Sequence, residues 1–144
     1  MSLSGGGLIL AAGRGSRYGS DKRRAVLDSG RTFATRSRNG MGASLAAGIR
    51  DCKSWDYALI GLGDMPYLDP ATLETLDSVL QQRVANNDFG CIIRPTQQGR
   101  SGHPVGFGRA HFAALSRLDG DVGARTIIQA KAGVIDVPCD DPGI

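Results

Sequence analysis

A glycine-rich loop with basic side chains follows an apolar run near the start of the chain. The stretch LILAAGRGSRYGSDK covers residues 8–22 and contains three spaced glycines, Arg17 and Lys22. Glycine allows a backbone to approach a ligand closely, and the two cations would attract an anion. The pattern fits two ligands: a dinucleotide cofactor, or the triphosphate of a nucleotide that is about to be cleaved.

The residues around the loop favour the triphosphate. A dinucleotide site needs an acidic residue about 20 positions further on, at the end of a second strand. Residues 32–39 contain no acid. The loop instead carries cations, which suit a triphosphate because negative charge grows on its oxygens during transfer. A P-loop is excluded, since no Gly-Lys-Ser or Gly-Lys-Thr sequence follows the glycines.

A second candidate site is the sequence GLGDMP at residues 61–66, where Asp64 follows an apolar run. A carboxylate at the end of a strand can hold one hard cation beside phosphates. Asp64 is therefore a candidate Mg²⁺ ligand. The alternative is that Asp64 only caps the turn before the next helix.

The composition indicates one domain covering residues 1–144. The chain is 41% hydrophobic and has no apolar run long enough to span a membrane. Its three separated cysteines give neither a disulfide framework nor a metal-ligand spacing, which predicts a cytoplasmic protein. Residues 1–50 contain nine Lys and Arg against two Asp, which indicates an anionic ligand. Nucleic acid is not expected, because the sequence has neither a basic helix nor an RNA-binding aromatic pattern.

The elements that must position these residues alternate between strand and helix. Apolar runs predict strands over residues 7–12, 57–62, 89–94 and 134–137. Helices are predicted over residues 42–52, from Pro70 onward after the cap Asp69, and over residues 109–118 and 124–132. The alternation predicts an α/β fold, a mostly parallel sheet with helices on both faces and a site beyond the carboxyl ends of the strands.

The glycine loop resembles the signature of the nucleotidyltransferases, L-x-A-A-G-x-G-x-R-x-G-x-x-K. The motifs GMxxSL, GDMP, GHPV and GDxGAR follow in order at residues 40–45, 63–66, 102–105 and 120–125. Together they resemble the molybdenum cofactor nucleotidyltransferases (MobA-like), and among these most closely the molybdopterin cytidylyltransferases.

That resemblance implies a three-layer Rossmann-like fold and a Mg²⁺-dependent reaction. A cytidylyl group would move from CTP, favoured over GTP, to the phosphate of a pterin-type cofactor, and pyrophosphate would be released. A molybdoenzyme or its chaperone is implied as a partner protein.

Individual residues also receive roles from the resemblance. The implied catalytic residues are Arg17, Lys22 and Asp64, and Asp64 would also bind the metal ion. The implied nucleotide-binding residues are Leu10, Ala11, Ala12, Gly13, Gly15, Arg17, Lys22, Asn39, Gly40, Met41 and Ser44. The implied acceptor-binding residues are His103, Pro104, Asp121 and Arg125. Ser44 is also expected to cap the helix that follows it.

Two regions depart from the family pattern. Only eight residues separate Gly30 from Asn39, too few for a helix and a returning parallel strand. We therefore expect a missing segment at the junction of Phe33 and Ala34, with no peptide bond between them. The family also continues into an aspartate-rich segment that supplies a second metal ligand, for which Asp140 and Asp141 are poor substitutes.

Three other functions stay open on the sequence. The fold could transfer a nucleotidyl group to another phosphate acceptor, such as a sugar phosphate. It could serve an NAD(P)H-dependent oxidoreductase of the nicotine-blue reductase type. It could also bind a nucleotide without any chemistry, which the lack of a second metal ligand favours.

Overall fold

The computed structural model describes residues 4–10, 32–35, 41–62, 69–118, 124–142 and 144. Within these ranges the strands are β1 (Gly5–Leu10), β2 (Thr32–Thr35), β3 (Tyr57–Leu62), β4 (Ile92–Gln97), β5 (Arg100–Ser101), β6 (Val105–Gly108) and β7 (Ile135–Pro138). The helices are α1 (Met41–Asp51), α2 (Pro70–Ala85), α3 (Phe112–Leu115) and α4 (Arg125–Ala130). A 3₁₀ turn at Arg109–His111 leads into α3.

The strands form one mixed sheet in the order β2-β1-β3-β6-β4-β5, and β7 pairs with β4. β1 is parallel to both β2 and β3, whereas β6 is antiparallel to β3 and to β4. Because β6 reverses direction between them, β4 runs the same way as β3, and so does its parallel partner β7. The predicted mostly parallel α/β sheet is confirmed.

Each face of the sheet carries its own helices, because successive residues of a strand point to opposite faces. One buried apolar cluster contains Ile60 of β3 and Leu45 of α1, and Ile128 of α4 packs against it. The other cluster contains Leu59 of β3 and Leu80 of α2. The fold therefore has the three layers that the sequence predicts.

Helix α2 begins as the sequence predicts. Asp69 is its N-cap, and the Asp69 Oδ1 accepts a hydrogen bond of 2.9 Å from the backbone N–H of Ala71. Pro70 takes the first helical position, where no backbone N–H is needed. This cap fixes where the chain after β3 enters the helix.

Strand β6 is not predicted from the sequence, because VGFG lacks a continuous apolar pattern. Close packing explains both of its glycines. A Cβ on Gly106 would lie 2.6 Å from the Leu80 Cδ1, and a Cβ on Gly108 would overlap the carbonyl oxygen of Phe89. Helix α2 and the turn before β4 thus pack directly onto the β6 backbone.

Other boundaries differ from the prediction by two or more residues. β1 lies two residues earlier than predicted, and β4 begins only at Ile92, because Phe89 and Gly90 belong to a turn. The predicted helix over 109–118 is a 3₁₀ turn followed by the short α3. α4 ends at Ala130, and Gly133 has a φ of 80° in the connection to β7.

The junction of Phe33 and Ala34 lies inside β2. These residues pair with Leu8 and Ile9 of β1, so the register runs through the junction without interruption. A four-residue edge strand, β2, thus spans the junction in the chain as given. The missing segment expected at this junction stays a prediction.

A buried polar network ties β3 to α2. The hydroxyl of Tyr57 donates a hydrogen bond of 2.8 Å to the Asp77 Oδ1, and the Gln81 Nε2 donates one of 2.7 Å to the Asp77 Oδ2. Tyr57 and Asp77 are each only 1% exposed. Removing one member of such a network leaves a buried polar group without its partner.

We therefore expect Asp77→Ala to lower the free energy of unfolding by about 2–3 kcal/mol, since Tyr57 and Gln81 lose their acceptor. Glu74→Ala, at an exposed position of the same helix, should change it by less than about 0.5 kcal/mol. Urea denaturation followed by circular dichroism measures both variants. Equal stabilities would contradict the structural role of the network.

Candidate functional site

The carboxyl ends of three adjacent parallel strands meet at one level of the sheet. Leu10, the last residue of β1, pairs with Thr35 of β2 on one side and with Leu62 of β3 on the other. The chain continues from these strand ends into residues 11–22, 36–40 and 63–68. The chain passes from β1 to β2 on one side of β1 and then returns to β3 on its other side. The end of β1 is therefore a topological switch point, and ligands bind at such points in sheets of this type.

Most residues implied to bind or activate the nucleotide belong to these three continuations. Leu10 is described as the end of β1. The other predictions on these segments, together with Asp121, lie outside the described residues: Ala11, Ala12, Gly13, Gly15, Arg17, Lys22, Asn39, Gly40 and Asp64. The structure therefore brings together the strand ends from which these segments continue, while the roles of those residues stay predictions.

Helix α1 begins at Met41, so the expectation that Ser44 caps it is wrong. An N-cap precedes the first helical residue, whereas Ser44 is the fourth residue of α1. The first four backbone N–H groups of the helix have no acceptor within it. Since α1 leads from the carboxyl end of β2 to β3, this end of the helix lies at the same edge as Leu10.

Pro104 and His103 lie at this edge as well. β6 is antiparallel to β3, so its first residue, Val105, pairs with Ile60 near the end of β3. A Cβ on Gly61 would lie 3.7 Å from the Cβ of Pro104. Pro104 is buried, which indicates a packing contribution, whereas His103 is exposed.

Arg125 is less closely tied to this edge. It is the exposed first residue of α4, and that helix packs on the α1 side of the sheet through Ile127 and Ile128. No salt bridge joins Arg125 to another described residue. Asp121, the other acceptor-binding residue predicted from the same motif, lies outside the described ranges.

Asp141 is a buried carboxylate that sequence reasoning did not place. It is 3% exposed, and its Oδ2 accepts a hydrogen bond of 2.9 Å from the backbone N–H of Asp69 and one of 2.7 Å from the Thr72 Oγ1. Asp140 is exposed. No group of three or more His, Cys, Asp or Glu residues that could hold a metal ion occurs in the described part of the chain.

The cysteines do not supply a nucleophile to this site. Burial, and to a smaller extent the charge of Asp51, raises the pKa of the Cys52 thiol to about 11. Burial likewise raises the pKa of Cys91 and of Cys139. A thiol with a raised pKa is mostly protonated at neutral pH and reacts slowly.

The described part of the chain is an α/β domain whose parallel strands end together at a switch point, the place where such folds bind ligands. The model of the MobA-like NTP transferase domain family matches residues 33–134, more than half of the chain, and the chain belongs to this family. The comparison with curated proteins gives no significant match. No helix in the described ranges is long and apolar enough to cross a membrane.

Several solved structures have a similar fold. Rv0371c from Mycobacterium tuberculosis H37Rv, in complex with manganese, is 21% identical, with a TM-score of 0.68 over 96% of this chain and 89% of that chain. A homologue of Rv0371c from Mycobacterium sp. strain JC1 is 18% identical, with a TM-score of 0.55 over 94% of this chain and 86% of that chain. The nucleotidyl transferase Mth528 from Methanothermobacter thermautotrophicus is 19% identical, with a TM-score of 0.63 over 98% and 89% of the two chains.

The family match and the shared fold identify an NTP transferase domain. At these identities the solved structures establish the fold alone, whereas the family match adds the class of transferase. An NAD(P)H-dependent oxidoreductase is not favoured by these comparisons.

Proposed function

We propose that the protein transfers a cytidylyl group from CTP to the phosphate of a molybdopterin-type cofactor and releases pyrophosphate. The observation that carries the proposal is the register in which Leu10 lies between Thr35 and Leu62. In this register, the three strands that precede the rest of the signature loop, the GMxxSL motif and the GDMP motif end at one edge of the sheet. The MobA-like family match supports the same class of reaction.

In this reaction an oxygen of the acceptor phosphate attacks the α-phosphorus of CTP. A new P–O bond forms, and the bond between the α-phosphorus and the oxygen bridging to the β-phosphorus breaks. Pyrophosphate leaves with the electron pair of that bond. The acceptor phosphate is already ionised at neutral pH, so the attack needs no general base. Arg17 and Lys22 would neutralise the charge that grows on the triphosphate.

A divalent cation would be held by Asp64. A carboxylate oxygen is the type of ligand that Mg²⁺ takes, and Asp64 is only two residues beyond the last residue of β3. When bound, the cation would neutralise charge on the phosphate oxygens. The presence of manganese in the Rv0371c structure supports a divalent metal in this fold.

The acceptor would bind on the β6 side of the strand ends. His103 is exposed beside the end of β3, and Pro104 packs next to Gly61. We propose that His103 contacts the acceptor and that Pro104 shapes this wall of the site. Asp121 and Arg125 would bind polar groups of the acceptor from the segment that leads into α4.

Calorimetric titration with CTP, GTP and NADPH, each with and without Mg²⁺, tests the proposal. We expect CTP to bind at least about tenfold more tightly with Mg²⁺ than without it, which corresponds to about 1.4 kcal/mol. GTP should bind more weakly than CTP, and NADPH should not bind. Tight binding of NADPH alone would overturn the proposal.

The acceptor is tested by incubating the protein with labelled CTP, Mg²⁺ and molybdopterin. Formation of labelled cytidylylated molybdopterin together with pyrophosphate is the expected result. A sugar phosphate in place of molybdopterin is the control. Label transferred only to the sugar phosphate would assign the same chemistry to a different acceptor.

A further inference from the structure

The segment after β7 crosses the carboxyl edge of the sheet. β7 is parallel to β4, and it therefore ends at this edge. The backbone N–H of Cys139 donates a hydrogen bond of 2.7 Å to the carbonyl oxygen of Thr96, which continues the pairing by one residue. Further along, Ile144 packs against Gly102, directly before His103. This segment thus lies at the edge of the sheet where the candidate site is placed, and it ends next to the residue that precedes His103.

Asp141 ties this segment to the start of α2. Its Oδ2 accepts hydrogen bonds from the Asp69 backbone N–H and from the Thr72 side chain, which is itself buried. We call these two hydrogen bonds the Asp141 anchor. A carboxylate is well suited to this place, because the first turn of a helix has unpaired N–H groups and a positive partial charge.

The Asp141 anchor sits at one end of the segment that carries Asp64. That segment, residues 63–68, starts after the last residue of β3 and ends directly before Asp69. β3 is held at Leu62 by its pairing with Leu10. The other end is held by the N-cap of α2, whose backbone N–H the anchor binds.

We propose that Asp141 is a positioning residue for the metal ligand Asp64. By holding Asp69, it fixes the end of the segment in which Asp64 lies, without itself binding metal or nucleotide. The inference rests on the proposed function, since it assumes that Asp64 binds the cation. It gives a role in the site to a residue that is far from Asp64 in the sequence.

The test measures Mn²⁺ affinity in the presence of saturating CTP, from the electron paramagnetic resonance signal of free Mn²⁺. We expect Asp141→Ala to raise the Kd for Mn²⁺ about tenfold, because the anchor is lost. Asp141→Asn keeps an acceptor oxygen and should raise the Kd for Mn²⁺ by less than about threefold. Asp140→Asn, at the exposed neighbouring position, should leave the Kd unchanged within about twofold.

Thr72→Val and Thr72→Ser provide a second, milder pair. The valine variant removes one of the two hydrogen bonds and should raise the Kd for Mn²⁺ about threefold, whereas the serine variant keeps the hydroxyl and should behave like the wild type. All measurements are made well below the lowest Tm of the set, so that a change in Kd is not caused by unfolding. If Asp141→Ala does not fold, the Thr72 pair decides the question.

The outcomes separate this inference from the proposed function. A wild-type protein that binds Mn²⁺ and CTP, with a folded Asp141→Ala variant of equal Mn²⁺ affinity, would overturn the positioning role alone. Equal Kd values for Mn²⁺ in Thr72→Val and Thr72→Ser would also overturn the positioning role of Asp141. A wild-type protein that binds neither Mn²⁺ nor CTP would overturn the proposed function and, with it, this inference.

Discussion

Replacing Arg17 or Lys22 with alanine is expected to lower kcat for the proposed cytidylyl transfer about 100- to 1,000-fold. The reason is that each side chain would neutralise charge that grows on the triphosphate as the α-phosphorus is attacked, and loss of one such group costs about this much. The effect should be larger on kcat than on the KM for CTP, since the charge is greatest in the transition state. Release of pyrophosphate, followed in a coupled assay, measures both constants.

Arg83→Ala is the matched control for this experiment. Arg83 is an exposed cation in the last turn of α2, where it lies 3.8 Å from Asp88. It lies at the end of α2 opposite the cap at Asp69, so its removal should leave the rate unchanged within about twofold. Near-wild-type rates for both Arg17→Ala and Lys22→Ala would refute the role of the loop as a triphosphate site.

The second large effect is expected for Asp64. Asp64→Asn would weaken the binding of the divalent cation and lower the rate about 100-fold, because the cation supplies several kcal/mol of charge stabilisation to the transition state. The Mg²⁺ concentration for half-maximal activity should rise in the same variant. A Mg²⁺ titration of the rate, repeated with Mn²⁺, measures both effects.

Asp88→Asn serves as the control for Asp64, because Asp88 is a partly exposed carboxylate that pairs with Arg83. Its Mg²⁺ dependence should match that of the wild type. An Asp64→Asn variant with an unchanged Mg²⁺ dependence would show that Asp64 only caps the turn before α2, the alternative that its sequence context allows.

Elements with strong local signals are predictable from this sequence. β3 has the predicted bounds of residues 57–62, because its apolar run is closed by glycine. α2 begins after Asp69, where cap and proline coincide. In both cases the information lies within a few neighbouring residues. The fold class follows from the alternation of such elements.

The elements that were missed depend on contacts between distant residues. Nothing local marks β6, whose glycines make sense only beside Leu80 and Phe89. β2 is formed through pairing with β1, and its own four residues carry no strong strand signal. Tertiary packing decides such strands more than propensity does.

The candidate site also has one part that local sequence predicts and one part that depends on contacts between distant residues. The strand ends at Leu10 and Leu62 could be expected to lie together, because both follow apolar runs of a parallel sheet. Asp141 could not be assigned in this way, because its partners Asp69 and Thr72 are about 70 residues away along the chain. The residues next to Asp141 in the sequence do not indicate that its carboxylate is buried beside a helix cap.

The central place of β1 has a consequence for the synthesis of the protein. β1 is made before either of its neighbours, and Gly5 finds its partner only when Tyr57 has left the ribosome. β2 can cover one edge of the strand earlier, but until then the edge that faces β3 stays unpaired and is a site for wrong pairing with other chains. The strand that ends at the candidate site is thus exposed to wrong pairing until β3 has been made.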